Sequence, residues 1–411
     1  MTEKKMIVIS AEGLATAALG CFGSSWNPTP AIDRIASEGS VWEQMIAGSH
    51  SPTEVLRNWW CGTETAETGE IARSVDWFSA WRERGPIELI TDCPDVSKSG
   101  IDAPFTVSTL IEPPSFHAEG APVRQPCEEI EETHLAELFA ALLDRIESEA
   151  PWSSVWLHTQ SLAGCWDAPR WLVPRDETDF NDGADLDDEE DPTDKGQPAP
   201  PWMFDLVDIS PFPLPEDAHP DLVVSWMRTY GCQIQLLDRL IGLLLESLAE
   251  KAEAVTIVIV GASGFSLGQN GWIGTESGPL RSCHHRIPLL IQQATAGSKS
   301  EMFGGPIRSA VVANASELPR LLRQLCQSDG PLISPSQWAQ DSDDFHPYVI
   351  TQSDSSMTAI TTARWYLVQD QQEGGPKLFL KPDDVDDQNN VSRLRPDITA
   401  QLEELIRSEL R

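Results

Sequence analysis

The residues of this sequence that can do chemistry fall into a few small groups. His50-Ser51-Pro52-Thr53-Glu54, with Arg57 one helical turn on, offers an imidazole, two hydroxyls, a carboxylate and a guanidinium. Ser51 and Thr53 can act as nucleophiles if a base or a metal activates them. Glu12 follows the strand-like run Ile7-Val8-Ile9-Ser10, and His158 follows Val155-Trp156-Leu157. A carboxylate and an imidazole at strand ends suit metal binding or proton transfer. A lone carboxylate does not make a metal site, however, and a partly buried histidine is more often simply hydrogen-bonded. His284 and His285 are adjacent; on a strand such neighbours point to opposite faces, so at most one is expected to face a shared pocket. Trp59-Trp60 and Trp166 can stack a sugar or an aromatic ring, with core packing the commoner role.

Other groups lead to exclusions. Cys21, Cys61, Cys93, Cys127, Cys165, Cys232, Cys283 and Cys326 are scattered with no C-x-x-C spacing, so neither a disulfide framework nor a zinc site is indicated. Between Asp176 and Asp194, 11 of 19 residues are acidic and none is basic, which predicts a solvated loop over 175–201. That loop is also a candidate for a basic partner. Aligning Gly183 with the sixth position of an EF-hand puts Thr178 and Phe180 where acidic ligands belong, so the calcium pattern fails. Across the whole chain, 64 Asp plus Glu against 29 Lys plus Arg gives a net charge of −35. Such a surface repels phosphate backbones and anionic lipid, which excludes nucleic-acid and membrane partners. No run suits a membrane span or a signal peptide, so a cytoplasmic protein is expected.

The elements that must hold these groups alternate along the chain. Ile7–Ser10, Ile87–Thr91, Val155–His158, Val255–Val260 and Pro288–Ile291 are short, apolar runs bounded by turn residues, as in strands buried on both faces. Between them, Thr133 can cap a helix with Leu135, Leu138, Phe139, Leu142, Leu143 and Ile146 inward, and Leu222–Lys251 forms another with Ile234, Leu237, Ile241, Leu244 and Leu248 inward. This pattern predicts a three-layer α/β domain over 1–333 with a mostly parallel central sheet, whose chemistry sits at the carboxyl ends of its strands. From 334 to 411 the texture changes. Short runs at Tyr348–Gln352, Thr358–Thr362, Trp365–Gln369 and Leu378–Leu380, with Gly374-Gly375 in a turn, predict a small antiparallel sheet. A terminal helix over Asp397–Leu410 follows, with Leu402, Leu405, Ile406 and Leu410 inward.

Several segments, in order, resemble the sulfatase family of the alkaline-phosphatase-like superfamily. Ile7 to Leu14 followed by Ala18-Leu19-Gly20-Cys21-Phe22-Gly23 looks like the family's first strand and its sequel. Asn27-Pro28-Thr29-Pro30-Ala31-Ile32-Asp33-Arg34-Ile35-Ala36-Ser37-Glu38-Gly39 is close to its "TPniDrLAaeG" signature. Tyr230 with Leu237 to Gly242, Ile257 to Gly268, His285-Arg286-Ile287-Pro288-Leu289, and Leu378-Phe379 through Val391 match later family segments. The resemblance implies the family's fold, with a small C-terminal α+β subdomain.

The chemistry the resemblance implies is interrupted at each key position. The family holds calcium or magnesium with two Asp after the first strand and an Asp-Asn or Asp-His pair later; here those positions are Ala11, Glu12, Ala262 and Ser263. Its C-x-P-S-R or S-x-P-S-R nucleophile motif aligns with His50-Ser51-Pro52-Thr53-Glu54, placing His50 at the residue to be oxidised to formylglycine and Glu54 at the bracing arginine. Histidine cannot become formylglycine, and a carboxylate repels an anionic ester. Arg57 can partly compensate. The expected protein is therefore a pseudoenzyme with no metal or cofactor, binding an unidentified protein or small molecule, with Glu12, Arg57, His158, His284 and His285 as pocket candidates. The alternative is a divergent metal-dependent sulfate- or phosphate-ester hydrolase using Thr53 or Ser51, with metal from Glu12 and the histidines.

Overall fold

The computed structural model describes residues 4–62, 76–113, 125–173, 212–214, 220–250, 255–268, 271–275, 280–293, 307–327, 346–353, 357–370 and 374–410. The acidic stretch from Asp176 to Asp194, and the 175–201 loop built around it, lies outside them. The strands are β1 (Lys5–Ala11), β2 (Ser40–Ile46), β3 (Ile87–Thr91), β4 (Val107–Leu110), β5 (Ser154–Thr159), β6 (Phe212–Pro213), β7 (Val255–Gly261) and β8 (Ser266–Leu267). They continue with β9 (Trp272–Gly274), β10 (Arg286–Gln293), β11 (Ile307–Asn314), β12 (Tyr348–Gln352), β13 (Met357–Thr362), β14 (Trp365–Asp370) and β15 (Lys377–Leu380). The helices are α1 (Pro30–Glu38), α2 (Pro52–Trp60), α3 (Asp76–Arg82), α4 (Pro94–Ser99) and α5 (His134–Glu147). After them come α6 (Ser161–Gly164), α7 (Pro220–Glu250), α8 (Ser282–His285), α9 (Leu318–Gln327) and α10 (Pro396–Glu409).

Eight strands form the central sheet in the order β11-β2-β10-β7-β1-β5-β3-β4. Neighbours run parallel except where β10 runs against both β7 and β2. Strand alternation sends successive side chains to opposite faces. Ile7 and Ile9 of β1 therefore join one core cluster with α1, α5 and α7, while Met6 and Val8 join another with α2, α3 and α9. The second cluster is dense in tryptophan: Trp42, Trp59, Trp60, Trp77, Trp81 and Trp156 are all buried in it. Trp59 and Trp60 thus take the packing role, and so does Trp166, buried in the first cluster.

Local signals place the helices. Thr133 caps α5 by accepting a hydrogen bond from Ala136 N, a contact worth about 1 kcal/mol. Leu135, Leu138, Phe139, Leu142 and Ile146 are buried beneath it, and Leu143 is half-buried. In α7 the five expected apolar positions are all buried. Asp238 on α7 accepts from Ala31 N and Ile32 N and so caps α1 across the interface. One expected inward residue departs: Leu410 is 46% exposed, because α10 ends at Glu409 and Leu410 is its terminal cap.

A separate antiparallel sheet, β12-β13-β14-β15, lies in the C-terminal part. It meets the central sheet where Gln352 pairs with Gly48 and His50 and Val349 packs on Ile46 and Val312, and a polar joint forms around Asp387 and Lys381. Asp387 accepts from Ser282 N and Ser282 Oγ, and the Lys381 ammonium pairs with Asp387 while donating to Ser282 Oγ. Tyr366 OH donates to Leu280 O at 3.1 Å. Among the described residues, no helix is long and apolar enough to cross a membrane.

Candidate functional site

The carboxyl ends of β1, β3, β5 and β7 lie side by side, and the register sets what meets there. Ser10 pairs with His158 and Val260, and His158 pairs with Thr91. Trp156 and His158, two apart on β5, share a face. The Trp156 indole donates to Ser10 Oγ at 2.7 Å, and Ser10 Oγ lies 2.9 Å from His158 Nδ1. The other ring nitrogen, His158 Nε2, lies 3.4 Å from Glu12 Oε1. Cys93 completes the group, its Sγ 3.8 Å from the same Glu12 oxygen. His158 is fully buried, and the Glu12 side chain is 15% exposed. Burial, reinforced by the Glu12 carboxylate, pushes the Cys93 thiol up to about 12.

The loops carrying these groups are braced by Asp92, which is fully buried. Its carboxylate accepts from Thr159 Oγ1, Ser161 Oγ and Gln160 N, each at 2.8 Å. Cys93 N donates to Thr91 Oγ1 at 3.1 Å, and Glu12 N donates to Thr159 O at 2.9 Å. The residue before Cys93 is thereby fastened to the residues after His158, so the two ligand-type side chains share one rigid frame.

A second imidazole group lies at the start of antiparallel β10, which brings its N-terminal end to the same edge of the sheet. His284 and His285 sit in the single helical turn α8 and not on a strand. The opposite-face expectation therefore does not apply, and both side chains are buried. The His50 ring meets the His284 ring edge-on, with centroids 5.2 Å apart. His285 lies 5.2 Å from the Tyr366 ring. Burial, then the neighbouring His50 and Arg281, pushes His284 down to about 3. Burial, then His284, holds His285 well below the ordinary imidazole range. Gly264 N donates to His284 O at 2.8 Å, and a Cβ at Gly264 would stand 1.9 Å from Cys283 O. Only glycine allows that approach.

The remaining sequence candidates are committed to structure. Ser51 caps α2, accepting from Glu54 N, and Thr53 is half-buried in its first turn. Glu54 is exposed and pairs with Arg57 at 3.3 Å. Ala262 N donates to Ala11 O, and both side chains are methyls. Ser263 Oγ accepts from Gly13 N at 2.8 Å and Ser263 O from Leu14 N. The sequence candidates thus separate into a Glu12–His158 pair and a His50–His284–His285 group. Cys93, Ser10 and Asp92 were not anticipated. The rule that chemistry sits at the carboxyl ends of the strands applies equally to Asp92-Cys93 after β3, and would have found that pair.

No family model matches the chain, and no significant match exists among the curated proteins compared. Solved structures do match along nearly the whole chain. The phosphonate monoester hydrolase of Agrobacterium radiobacter is 14% identical with a TM-score of 0.69, covering 98% of this chain and 95% of that one. The phosphonate monoester hydrolase of Silicibacter pomeroyi is 14% identical at TM-score 0.65, covering 99% and 95%. A protein solved with its substrate D-glucosamine-2-N,6-O-disulfate is 15% identical at TM-score 0.63, covering 98% and 97%. The chain has the alkaline-phosphatase-like fold of sulfatases and phosphonate monoester hydrolases.

Proposed function

We propose that this chain uses a sulfatase-like fold for binding or regulation and does not hydrolyse sulfate, phosphate or phosphonate esters. The start of α2 carries the reading. His50 stands where the resemblance expects the oxidisable nucleophile, and its ring packs against buried His284. Glu54 stands where the bracing arginine is expected, and it is already paired with Arg57. An anionic ester reaching this turn meets an imidazole and a carboxylate in place of a nucleophile and a guanidinium. The hard-cation positions fit calcium or magnesium poorly: two are methyls, and Ser263 Oγ is engaged by Gly13 N. In this reading the chain is cytoplasmic, with 1–333 as the body and 334–411 as its appendage.

A second reading draws on the 3.4 Å approach of His158 to Glu12: a divergent ester hydrolase taking metal there and attacking with Thr53 or Ser51. Assays of the purified chain with aryl sulfates, phosphate mono- and diesters and phosphonate monoesters separate the two. Magnesium, calcium, manganese and zinc are each supplied in turn. The expected result is no turnover above buffer. Turnover that Thr53→Ala or Ser51→Ala abolishes overturns the first reading in favour of the second.

A further inference from the structure

We infer that Glu12, Cys93 and His158 form a zinc site assembled from three strand ends. The ligand atoms all lie within 4.8 Å of one another. Zinc–sulfur bonds near 2.3 Å and zinc–nitrogen or –oxygen bonds near 2.0–2.1 Å, at tetrahedral angles, separate ligand atoms by about 3.3–3.6 Å. The Nε2–Oε1 separation of 3.4 Å and the Sγ–Oε1 separation of 3.8 Å approach that spacing without backbone movement. One thiolate, one imidazole and one carboxylate form a borderline-soft donor set, which suits zinc and is foreign to calcium or magnesium.

The surroundings of His158 point the same way. A histidine that ligates through one nitrogen characteristically holds the other in a hydrogen bond, which fixes the tautomer. Here Nδ1 faces Ser10 Oγ at 2.9 Å, and the Trp156 indole donates to that oxygen and orients it. Ser10 Oγ retains a lone pair that can accept from Nδ1–H, the tautomer that frees the Nε2 lone pair for zinc on the side facing Glu12. Binding displaces the Cys93 thiol proton to solvent and forms a zinc–sulfur bond, with no change of oxidation state. Glu12, the partly exposed member, marks the side on which a fourth, exchangeable ligand enters.

This inference is separate from the proposed function: a zinc ion held here does not require ester hydrolysis. The test uses the full chain, purified without chelators, stripped with dipicolinate and titrated with Zn2+ or Co2+. The expected result is about one metal per chain, with a thiolate-to-cobalt charge-transfer band in the near-ultraviolet. Cys93→Ser should remove that band and weaken zinc binding at least ~100-fold, and His158→Ala should weaken binding comparably. Far-ultraviolet circular dichroism establishes that each variant is folded. No stoichiometric binding by the stripped chain overturns the inference. So does binding that survives both substitutions, which would place the metal elsewhere on this acidic chain. If zinc binds at Cys93 and the loaded protein hydrolyses esters, the site stands and the proposed function falls. Absence of zinc leaves the proposed function standing.

Discussion

At the scale of single residues, the hydrogen-bonded line Trp156–Ser10–His158–Glu12 determines what the strand ends can do. Ser10 contributes no ligand, yet its hydroxyl can accept from the Nδ1–H tautomer that zinc binding through Nε2 requires. Ser10→Ala should weaken Zn2+ binding about 10- to 100-fold while leaving its stoichiometry intact, as read by competition with a fluorescent chelator. Asp92 has a different role. Its carboxylate satisfies two hydroxyls and an amide in a site closed to water. Asp92→Ala should cost about 2–4 kcal/mol in urea denaturation, from donors left without partners. The buried histidines make stability depend on pH. In the unfolded chain His284 and His285 titrate near 6.5, whereas in the folded chain His284 stays neutral to about 3 and His285 lies well below 6.5. Below pH 6.5 the unfolded chain takes up protons that the folded chain refuses. Stability therefore falls as pH drops from about 6.5 towards 3, by up to about 1.4 kcal/mol per pH unit for each imidazole. The urea midpoint measured across that range checks the sign, and a His284→Gln/His285→Gln variant should flatten it.

At the scale of elements, α7 and the tryptophan layer carry the energetics. Asp238 of α7 caps α1 from a buried position, and burial raises its carboxyl to about 6. Between pH 3.8 and 6 the folded chain keeps a proton that the unfolded chain has released. This contribution grows as pH falls through 6, opposite in sign to that of the histidines. Asp238→Asn should remove it, raising the stability at pH 7 relative to pH 5 in paired melts. Trp60 packs edge-on against Trp156 at 5.5 Å and against His158 at 6.0 Å. Trp60→Ala should cost about 3–5 kcal/mol by denaturant titration. These elements were largely legible in the sequence, because apolar periodicity and caps are local signals. Thr133, the α7 stripe and the strand runs are found where spacing placed them. β2, β4 and β11 were not anticipated. β2 and β4 mix polar residues into their runs, and β11 alternates buried with exposed positions at the sheet edge. The candidate site was legible only in halves. Glu12 and His158 were visible as strand ends, but their meeting with Cys93 depends on β5 lying between β1 and β3, an order that no spacing along the chain encodes. For the same reason, the absence of C-x-x-C said nothing about ligands brought together by topology.

At the scale of the whole molecule, the C-terminal sheet is joined to the central sheet by backbone pairing of Gln352 with Gly48 and His50, by apolar packing of Val349 on Ile46 and Val312, and by buried polar contacts. Asp387 accepts from both the backbone and the hydroxyl of Ser282, and it also raises the thiol of Cys283, which burial pushes to about 12. Asp387→Ala should loosen this joint and lower the Cys283 thiol. Labelling of Cys283 by iodoacetamide at mildly alkaline pH should then accelerate, with Cys283→Ser as the control that removes the signal. Unchanged labelling would show that the joint is held by other contacts. The same joint has a consequence for how the protein is made. The turn bearing His284 and His285 is held by Ala47 and Gly264 upstream and, at Ser282, by residues about a hundred positions downstream. Domains form from the N-terminus as a chain is synthesised. On the ribosome, the strand ends bearing Glu12, Cys93 and His158 can therefore assemble before the histidine turn settles into place. The histidine turn thus gains its last contacts late, and a nascent chain arrested short of Lys381 would carry the assembled strand ends without the Asp387 and Lys381 contacts to Ser282.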